Sequence, residues 1–138
     1  MMTQQMIKAH PNVHGDLSEP LVKCIEECFE CKQICISCAD ACLAEDSVNE
    51  LKQCIRLNLD CADVCDSTGA LVSRRTGSNQ IVLRGALELC ALACRTCAEE
   101  CERHAQTHEH CRICAESCRS CQTACERAMQ DVGAGSTH

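Results

Sequence analysis

The chain has 138 residues, and eighteen of them are cysteine, whereas Trp and Tyr are absent and Phe29 is the single aromatic residue. A net charge of -7 on interleaved acidic and basic residues argues against a nucleic-acid surface, as does the lack of aromatic side chains for base stacking. No apolar run approaches the roughly 18 to 20 residues that span a bilayer. The length is typical of one domain with its own core, so the cysteines need an explanation other than the cross-linking of a very small fold.

The first segment, residues 1–16, predicts at most a short helix. Residues 3–14 favour such a helix, with Met6 and Ile7 facing inward. The segment has neither the basic start nor the apolar stretch of a secretory leader, so we expect a cytosolic protein. In a reducing compartment thiols stay reduced, which disfavours a disulfide scaffold.

The first long helix carries a stripe of six cysteines. Ser18, Glu19 and Pro20 are typical of a helix start, and the helix is predicted to continue to about Ala44. Its cysteines are separated by steps of 4, 3, 4, 3 and 4 residues, which is the 3.5-residue spacing of a core seam in a helix bundle. The six sulfurs on this face belong to Cys24, Cys28, Cys31, Cys35, Cys38 and Cys42.

Three further helices are predicted to follow. Residues 47–50 form a predicted capping box, in which a serine and a glutamate satisfy exposed backbone donors, and open a helix to about Arg74. A turn at residues 76–79 leads to a third helix that ends at about His104. The fourth helix is predicted to end near Asp131.

The same cysteine spacing recurs in these three helices. In the second helix Asn58 occupies one step that would otherwise hold cysteine. Each helix thus places a sulfur seam toward the same core. The remaining cysteines are Cys54, Cys61 and Cys65 in the second helix, Cys90, Cys94, Cys97 and Cys101 in the third, and Cys111, Cys114, Cys118, Cys121 and Cys125 in the fourth.

The predicted fold is all-α. Long helices with short connections favour an up-down-up-down four-helix bundle with a cysteine-lined core over residues 17–131, preceded by the segment 1–16 and followed by a flexible tail, residues 132–138. Cysteines reach the helix tips at one end of this bundle, next to three histidines. The opposite end is predicted to be closed by an apolar plug, made of Leu17, Leu21, Leu71, Val72, Ile81, Val82, Leu83, Leu87 and Met129.

Three explanations compete for so many buried sulfurs. Cysteine can act as a small core hydrophobe, but filling nearly every seam position this way forgoes the larger burial of leucine. Disulfides between residues three or four apart on one helix are disfavoured because their Cβ atoms lie about 5 to 6 Å apart, beyond disulfide reach. Metal binding explains the pattern best, and thiolates favour Cu(I), zinc or iron–sulfur clusters.

Charge favours Cu(I) among these metals. Four thiolates around Zn²⁺ carry a formal charge of -2, so several stacked zinc sites would bury a large negative charge. One Cu(I) per thiolate is neutral, and a bridging thiolate can join successive ions, so we expect on the order of one Cu(I) per cysteine. Binding of zinc or of an iron–sulfur cluster is the alternative to Cu(I) binding.

The predicted metal ligands are the eighteen cysteines and three histidines at one bundle end. His104 lies three residues after Cys101, and His108 lies three residues before Cys111, so both continue a seam. Asn58 could offer an oxygen ligand, cap a thiol or fix the register of the helices. The predicted histidine ligands are His104, His108 and His110.

With these stripes and histidines, the chain resembles the bacterial cytosolic copper storage proteins over residues 17–130. The resemblance implies a Cys-rich four-helix bundle that stores Cu(I), no enzymatic activity and a homotetramer of bundles. It also implies that all eighteen cysteines are core ligands and that the histidines mark the copper entrance. No nucleic-acid or membrane partner is expected.

Two other functions compete with storage. A redox or catalytic metalloprotein holding zinc or iron–sulfur would use discrete four-ligand sites. A Cu(I) chaperone that delivers copper to a partner would be better served by one exposed C-x-x-C pair than by a buried stripe. The continuous seams favour storage.

Overall fold

The computed structural model describes residues 2–15 and 17–134, and these form helices joined by short connections. The helices are α1 (Met2–Lys8), α2 (Glu19–Leu43), α3 (Lys52–Ser73), α4 (Gln80–His104) and α5 (Glu109–Ala134), with a single 3-10 turn at Val48–Glu50. No strand occurs in the described residues, so the predicted all-α class is confirmed.

The four long helices pack as a ring in chain order. α2 lies between α3 and α5, and α4 lies between the same two helices on the other side. Because each connection is short, neighbouring helices run antiparallel, which gives the predicted up-down-up-down bundle. We call the end at the α2–α3 and α4–α5 connections the open end, and the end at the α3–α4 connection the closed end.

The start of α2 is fixed by Ser18. Its Oγ accepts a hydrogen bond from the Leu21 N–H (3.4 Å) and donates one to the Asp131 carboxylate of α5 (2.6 Å). An N-cap satisfies a backbone donor that the helix leaves unpaired. Here the same hydroxyl also ties the first turn of α2 to the last turns of α5.

Replacing Ser18 with alanine is expected to destabilise the copper-free, reduced protein by about 1 to 2 kcal/mol, because both hydrogen bonds are lost. Urea unfolding followed by far-UV circular dichroism measures the change. Ser120→Ala, at an exposed position of α5, is the matched control and should change the free energy of unfolding by less than about 0.5 kcal/mol. Equal stability of the two variants would contradict this role of Ser18.

The predicted capping box at residues 47–50 is wrong. Ser47 makes no side-chain cap, residues 48–50 form a 3-10 turn, and α3 begins only at Lys52. The Ser47 hydroxyl instead lies 3.4 Å from Nε2 of His108, on the neighbouring connection. Tertiary contact at the open end therefore overrides the local capping pattern.

The closed end is filled by aliphatic side chains, as predicted, but not by all the residues expected. Val72 and Leu87 are fully buried, and Leu17, Leu21, Leu83 and Met129 pack against the core. Ile81 and Val82 are exposed at 90% and 49%, so their inclusion in the plug was wrong. They lie in the first turn of α4.

The N-terminal helix is shorter than predicted and presents one of its two expected residues to the core. α1 spans Met2–Lys8, and Ile7 is buried against the bundle together with Val13. Met6 is 75% exposed, which corrects the expectation that it faces inward. Adjacent residues of a helix point about 100° apart, so α1 turns Ile7 toward the bundle and Met6 away from it.

At the other terminus α5 continues through Ala134, beyond the predicted end at Asp131. The rest of the predicted tail, residues 135–138, lies outside the described residues. Within the described part of the chain, we find no helix with both the length and the apolar character needed to cross a membrane.

Candidate metal centre

The centre of the bundle is lined by sulfur along its length. All eighteen cysteines are free thiols, and none exposes more than 2% of its surface. The heptad-like spacing turns each seam toward the bundle axis, so four helices converge on one interior. The lining consists of Cys24, Cys28, Cys31, Cys35, Cys38, Cys42, Cys54, Cys61, Cys65, Cys90, Cys94, Cys97, Cys101, Cys111, Cys114, Cys118, Cys121 and Cys125.

Sulfurs from different helices lie close enough to share one ion. The Sγ atoms of Cys35 on α2 and Cys118 on α5 are 3.7 Å apart, as are those of Cys54 on α3 and Cys101 on α4. Sulfurs of diagonally opposed helices also meet, for example Cys65 and Cys121 at 3.9 Å. The interior is therefore narrow enough for thiolates of all four helices to bridge ions.

The sulfurs form overlapping groups of four. Within each group the ligand atoms lie within 4.8 Å of one another. Cys121 belongs to the first two groups, Cys31 to the second and third, and Cys35 with Cys118 to the third and fourth. The sharing joins four groups: Cys28, Cys90, Cys121 and Cys125; Cys31, Cys65, Cys94 and Cys121; Cys31, Cys35, Cys61 and Cys118; and Cys35, Cys97, Cys114 and Cys118. A fifth group near the open end, made of Cys38, Cys42, Cys54 and Cys111, shares no member with these four. The Cys101 sulfur connects it to the fourth group, since it lies 3.7 Å from the Cys54 sulfur and 4.0 Å from the Cys97 sulfur.

Asn58 lies between the inner groups and the group at the open end. Its side chain is fully buried, and its Oδ1 accepts hydrogen bonds from Cys97 (3.1 Å), Cys101 (3.4 Å) and Cys114 (3.4 Å). Its Nδ2 donates to the Cys54 sulfur at 3.8 Å. Both the oxygen and the nitrogen of the amide therefore contact sulfurs of the lining.

Burial opposes ionisation throughout the lining, but hydrogen bonds between sulfurs raise the pKa of some thiols and lower that of others, such as Cys24, whose pKa falls to about 5 through its hydrogen bonds with Cys125 and Cys28. Burial is the main cause that raises the pKa of Cys42 above its ordinary value. The pKa of Cys118 is raised because hydrogen bonds to neighbouring sulfurs and burial hold its proton. A Cu(I) ion that binds such a thiol must displace its proton.

Two of the predicted histidines meet at the open end. The rings of His108 and His110 stack, with centroids 5.4 Å apart. Nδ1 of His110 lies 3.5 Å from the Cys38 sulfur and 3.6 Å from the Cys111 sulfur, so this ring borders the lining directly. Nε2 of His108 faces Ser47 rather than a sulfur.

A carboxylate that the sequence analysis missed joins these rings. Glu45 Oε2 accepts a hydrogen bond from Nε2 of His110 (2.8 Å) and lies 3.0 Å from Nδ1 of His108. The hydrogen bond from His110 and the charge of His108 lower the pKa of Glu45, so it is a carboxylate at neutral pH. Burial lowers the pKa of His110, but hydrogen bonds to Cys38 and Glu45 and the attraction of both groups outweigh burial and raise it.

A signal for Glu45 was present in the sequence. It lies three residues after Cys42, at the next step of the cysteine seam of α2. The helix ends at Leu43, so the seam position passes from the bundle interior to its rim.

His104 takes a different place from its two neighbours. Its Nε2 bonds to the Glu100 carboxylate at 2.8 Å, one turn back on α4. Its side chain is one-fifth exposed. The structure therefore brings His108 and His110 together at the rim and holds His104 against its own helix.

Comparison with known proteins gives a consistent result. A family model described as Copper storage protein matches residues 17–130. A solved structure of the copper storage protein Ccsp from Streptomyces lividans, loaded with 10 copper equivalents, is 47% identical, with a TM-score of 0.89 over 93% of this chain and 98% of that chain.

Two further solved structures are similar. One is a cytosolic copper storage protein from Streptomyces lividans with five coppers, 53% identical, with a TM-score of 0.80 over 81% of this chain and 93% of that chain. The other is the Cu(I)-bound copper storage protein BsCsp3 of Bacillus subtilis, 37% identical, with a TM-score of 0.67 over 77% of this chain and 93% of that chain.

Proposed function

The chain belongs to the copper storage protein family, and from that premise we propose that it stores many Cu(I) ions on the eighteen cysteines of its bundle interior. The observation that carries the proposal is the chain of four-sulfur groups along the bundle interior. Four of the groups share sulfurs, and Cys101 connects the fifth group to them, so bound ions would form connected clusters rather than isolated centres. A protein with connected sites of this kind can hold many ions.

Charge supports Cu(I) over zinc at these sites. Among the residues whose burial the structure describes, no Lys or Arg is buried, so the interior offers no fixed cation to offset excess thiolates. Tetrathiolate zinc groups would each leave a formal charge of -2 in this interior. One Cu(I) per thiolate leaves none.

We further propose that the histidines act at the open end. His110 borders Cys38 and Cys111 through Nδ1 and is suited to receive an incoming ion. His108 stacks on His110 and extends the polar rim. His104 is assigned to the same entrance from its seam position, and Glu100 orients its ring.

Storage differs from the two alternatives in the number of ions held. A chaperone exposes one or two thiols for exchange with a partner, whereas all eighteen thiols are buried here. A redox or catalytic metal site keeps an open coordination position for substrate. We therefore propose that the protein is not an enzyme.

Location and assembly follow as separate proposals. We place the protein in the cytosol, in line with the naming of the similar cytosolic storage protein from Streptomyces lividans.

We also propose a homotetramer of bundles. Apolar side chains on outer faces support assembly, for they expose 41 to 53% of their surface and include Phe29, Ile36, Leu59, Leu89, Leu92 and Ile113. Light scattering on the copper-free protein tests this, and a monomeric mass contradicts it.

Anaerobic titration of the fully reduced protein with Cu(I), against a colorimetric Cu(I) chelator, tests the storage function. We expect saturation on the order of one ion per thiolate, about 18, because neutrality of the interior sets that scale. Saturation at one or two ions contradicts storage. Preferential retention of zinc in a competition experiment contradicts the choice of metal.

Copper uptake is expected to release protons, up to about one per ion, since Cu(I) displaces the proton of each thiol that is still protonated. The pKa of Cys42 is raised by burial, so its proton is still bound at neutral pH and must leave when Cu(I) binds. Apparent affinity therefore falls as pH falls, because added protons compete for the sulfur. A pH-indicator dye in weakly buffered solution measures the release, and uptake without proton release would contradict a thiol lining.

A further inference from the structure

The rim of the open end holds a carboxylate between two imidazoles. Glu45 follows the end of α2, and its backbone N–H donates to the Cys42 carbonyl at 3.2 Å. Its side chain is one-third exposed, and one oxygen, Oε2, serves both His108 and His110. The carboxylate is therefore anchored to the helix that also carries Cys38 and Cys42.

The contacts with Glu45 determine which nitrogen of each ring carries hydrogen. A carboxylate can only accept, so the nitrogen that faces it must be the N–H. In neutral His110 this is Nε2, which leaves a free lone pair on Nδ1. In neutral His108 it is Nδ1, which leaves the lone pair on Nε2, toward Ser47. One carboxylate thus selects opposite tautomers in two neighbouring histidines.

The lone pair of His110 is well placed for a metal ion. Metal–nitrogen and metal–sulfur bonds of about 2.0 and 2.3 Å put the two ligand atoms roughly 3.5 to 3.7 Å apart at ordinary bond angles. Nδ1 of His110 lies 3.5 Å from the Cys38 sulfur and 3.6 Å from the Cys111 sulfur. The three atoms could therefore hold one Cu(I) with little movement of the ring.

We propose that Glu45 is a positioning residue for copper entry, which holds the His110 ring so that Nδ1 faces Cys38 and Cys111. The proposal rests on the storage function proposed above. Carboxylates that orient a histidine ligand in this way commonly change metal affinity or activity by 10- to 100-fold when removed. Glu45 does not contact the deeper sulfur groups, so it governs the first capture of an ion and leaves the final capacity unchanged.

The first test needs no copper. Long-range ¹H–¹⁵N correlation spectra of the copper-free protein, at a pH where both rings are neutral, report the tautomers. We expect Nδ1–H for His108 and Nε2–H for His110 in the unaltered protein. Because neutral imidazole in water prefers Nε2–H, Glu45→Ala should shift His108 to that form. If His110 carries its hydrogen on Nδ1 in the unaltered protein, no lone pair faces Cys38 and Cys111, and the proposal is overturned.

The second test measures capture of a single equivalent of Cu(I) by anaerobic stopped-flow. Glu45→Ala should slow this first phase by about 10-fold while the capacity stays at about 18. Asp46→Ala is the matched control, since it removes the same charge from the adjacent exposed position and should leave the rate within about twofold. Equal slowing by both variants would show that only charge matters, and would overturn the positioning role.

A double variant separates positioning from other effects. If Glu45 acts through His110, then Glu45→Ala should add no further slowing in a His110→Ala background. Additive effects of the two substitutions would overturn the proposal. If the unaltered protein takes up little copper, the storage function fails instead, and the tautomer spectra still decide whether Glu45 orients the rings.

Discussion

Alanine in place of the four cysteines of one interior group, Cys31, Cys35, Cys61 and Cys118, is expected to lower the Cu(I) capacity by about four ions or more, to about 14 or fewer. Each lost thiolate removes one negative charge, and hence one ion. The loss can exceed four because these sulfurs are shared with neighbouring groups, such as the one that contains Cys65. Anaerobic titration against a Cu(I) chelator measures the capacity.

The control for this variant creates cavities without removing sulfur. Val22→Ala combined with Ile25→Ala shortens two buried side chains of α2, and the capacity should stay at about 18 despite the lower stability. Should circular dichroism show that the fourfold variant is unfolded, Cys31→Ala with Cys118→Ala makes a smaller cavity and should still lose about two ions or more. A capacity of about 18 in a folded variant would show that these sulfurs are not ligands.

The sulfur lining could be predicted from the sequence because its spacing carries the information. Steps of three and four residues place the cysteines on one face of each helix, and the cysteine faces of four helices can all be buried only if they pack around one common interior. All eighteen cysteines are found there, and Asn58 lies among them at the vacant step. Helix ends set by capping were also predictable where one side chain sufficed, as at Ser18.

The rim of the open end was less predictable, since it is built by connections that meet only in the folded bundle. Glu45 comes from the α2–α3 connection, whereas His108 and His110 come from the α4–α5 connection and the start of α5. Ser47 matches a helix cap in sequence, yet it contacts His108. A local pattern shows that Ser47 could cap a helix, but it cannot show that the side chain contacts His108 instead, because His108 is more than 60 residues away in the sequence.

The closed end shows a similar limit. Ile81, Val82 and Leu83 are all apolar, but only Leu83 packs against the core. Leu83 lies one turn before the buried Leu87, on the same face of α4, whereas Ile81 and Val82 lie on other faces. Hydrophobicity alone does not tell which of three adjacent residues faces the core. The residues that do fill the end, Val72 and Leu87, lie deeper along their helices.

Leu87→Ala is expected to destabilise the copper-free protein by about 3 kcal/mol, within the 2 to 5 kcal/mol typical of such changes. Leu87 is fully buried in the closed end. In a core otherwise made of small sulfur side chains, the few large aliphatics supply a disproportionate share of the burial. Urea unfolding of the reduced protein measures the loss.

Leu89→Ala is the matched control, because Leu89 lies two residues further along α4 and is 53% exposed. It should change the free energy of unfolding by less than about 1 kcal/mol. Both variants should still bind about 18 Cu(I) ions when folded, since neither side chain belongs to the sulfur groups. A drop in capacity for Leu87→Ala alone would mean that the closed end also shapes the copper sites. An unchanged capacity would show that Leu87 stabilises the bundle without contributing to metal binding.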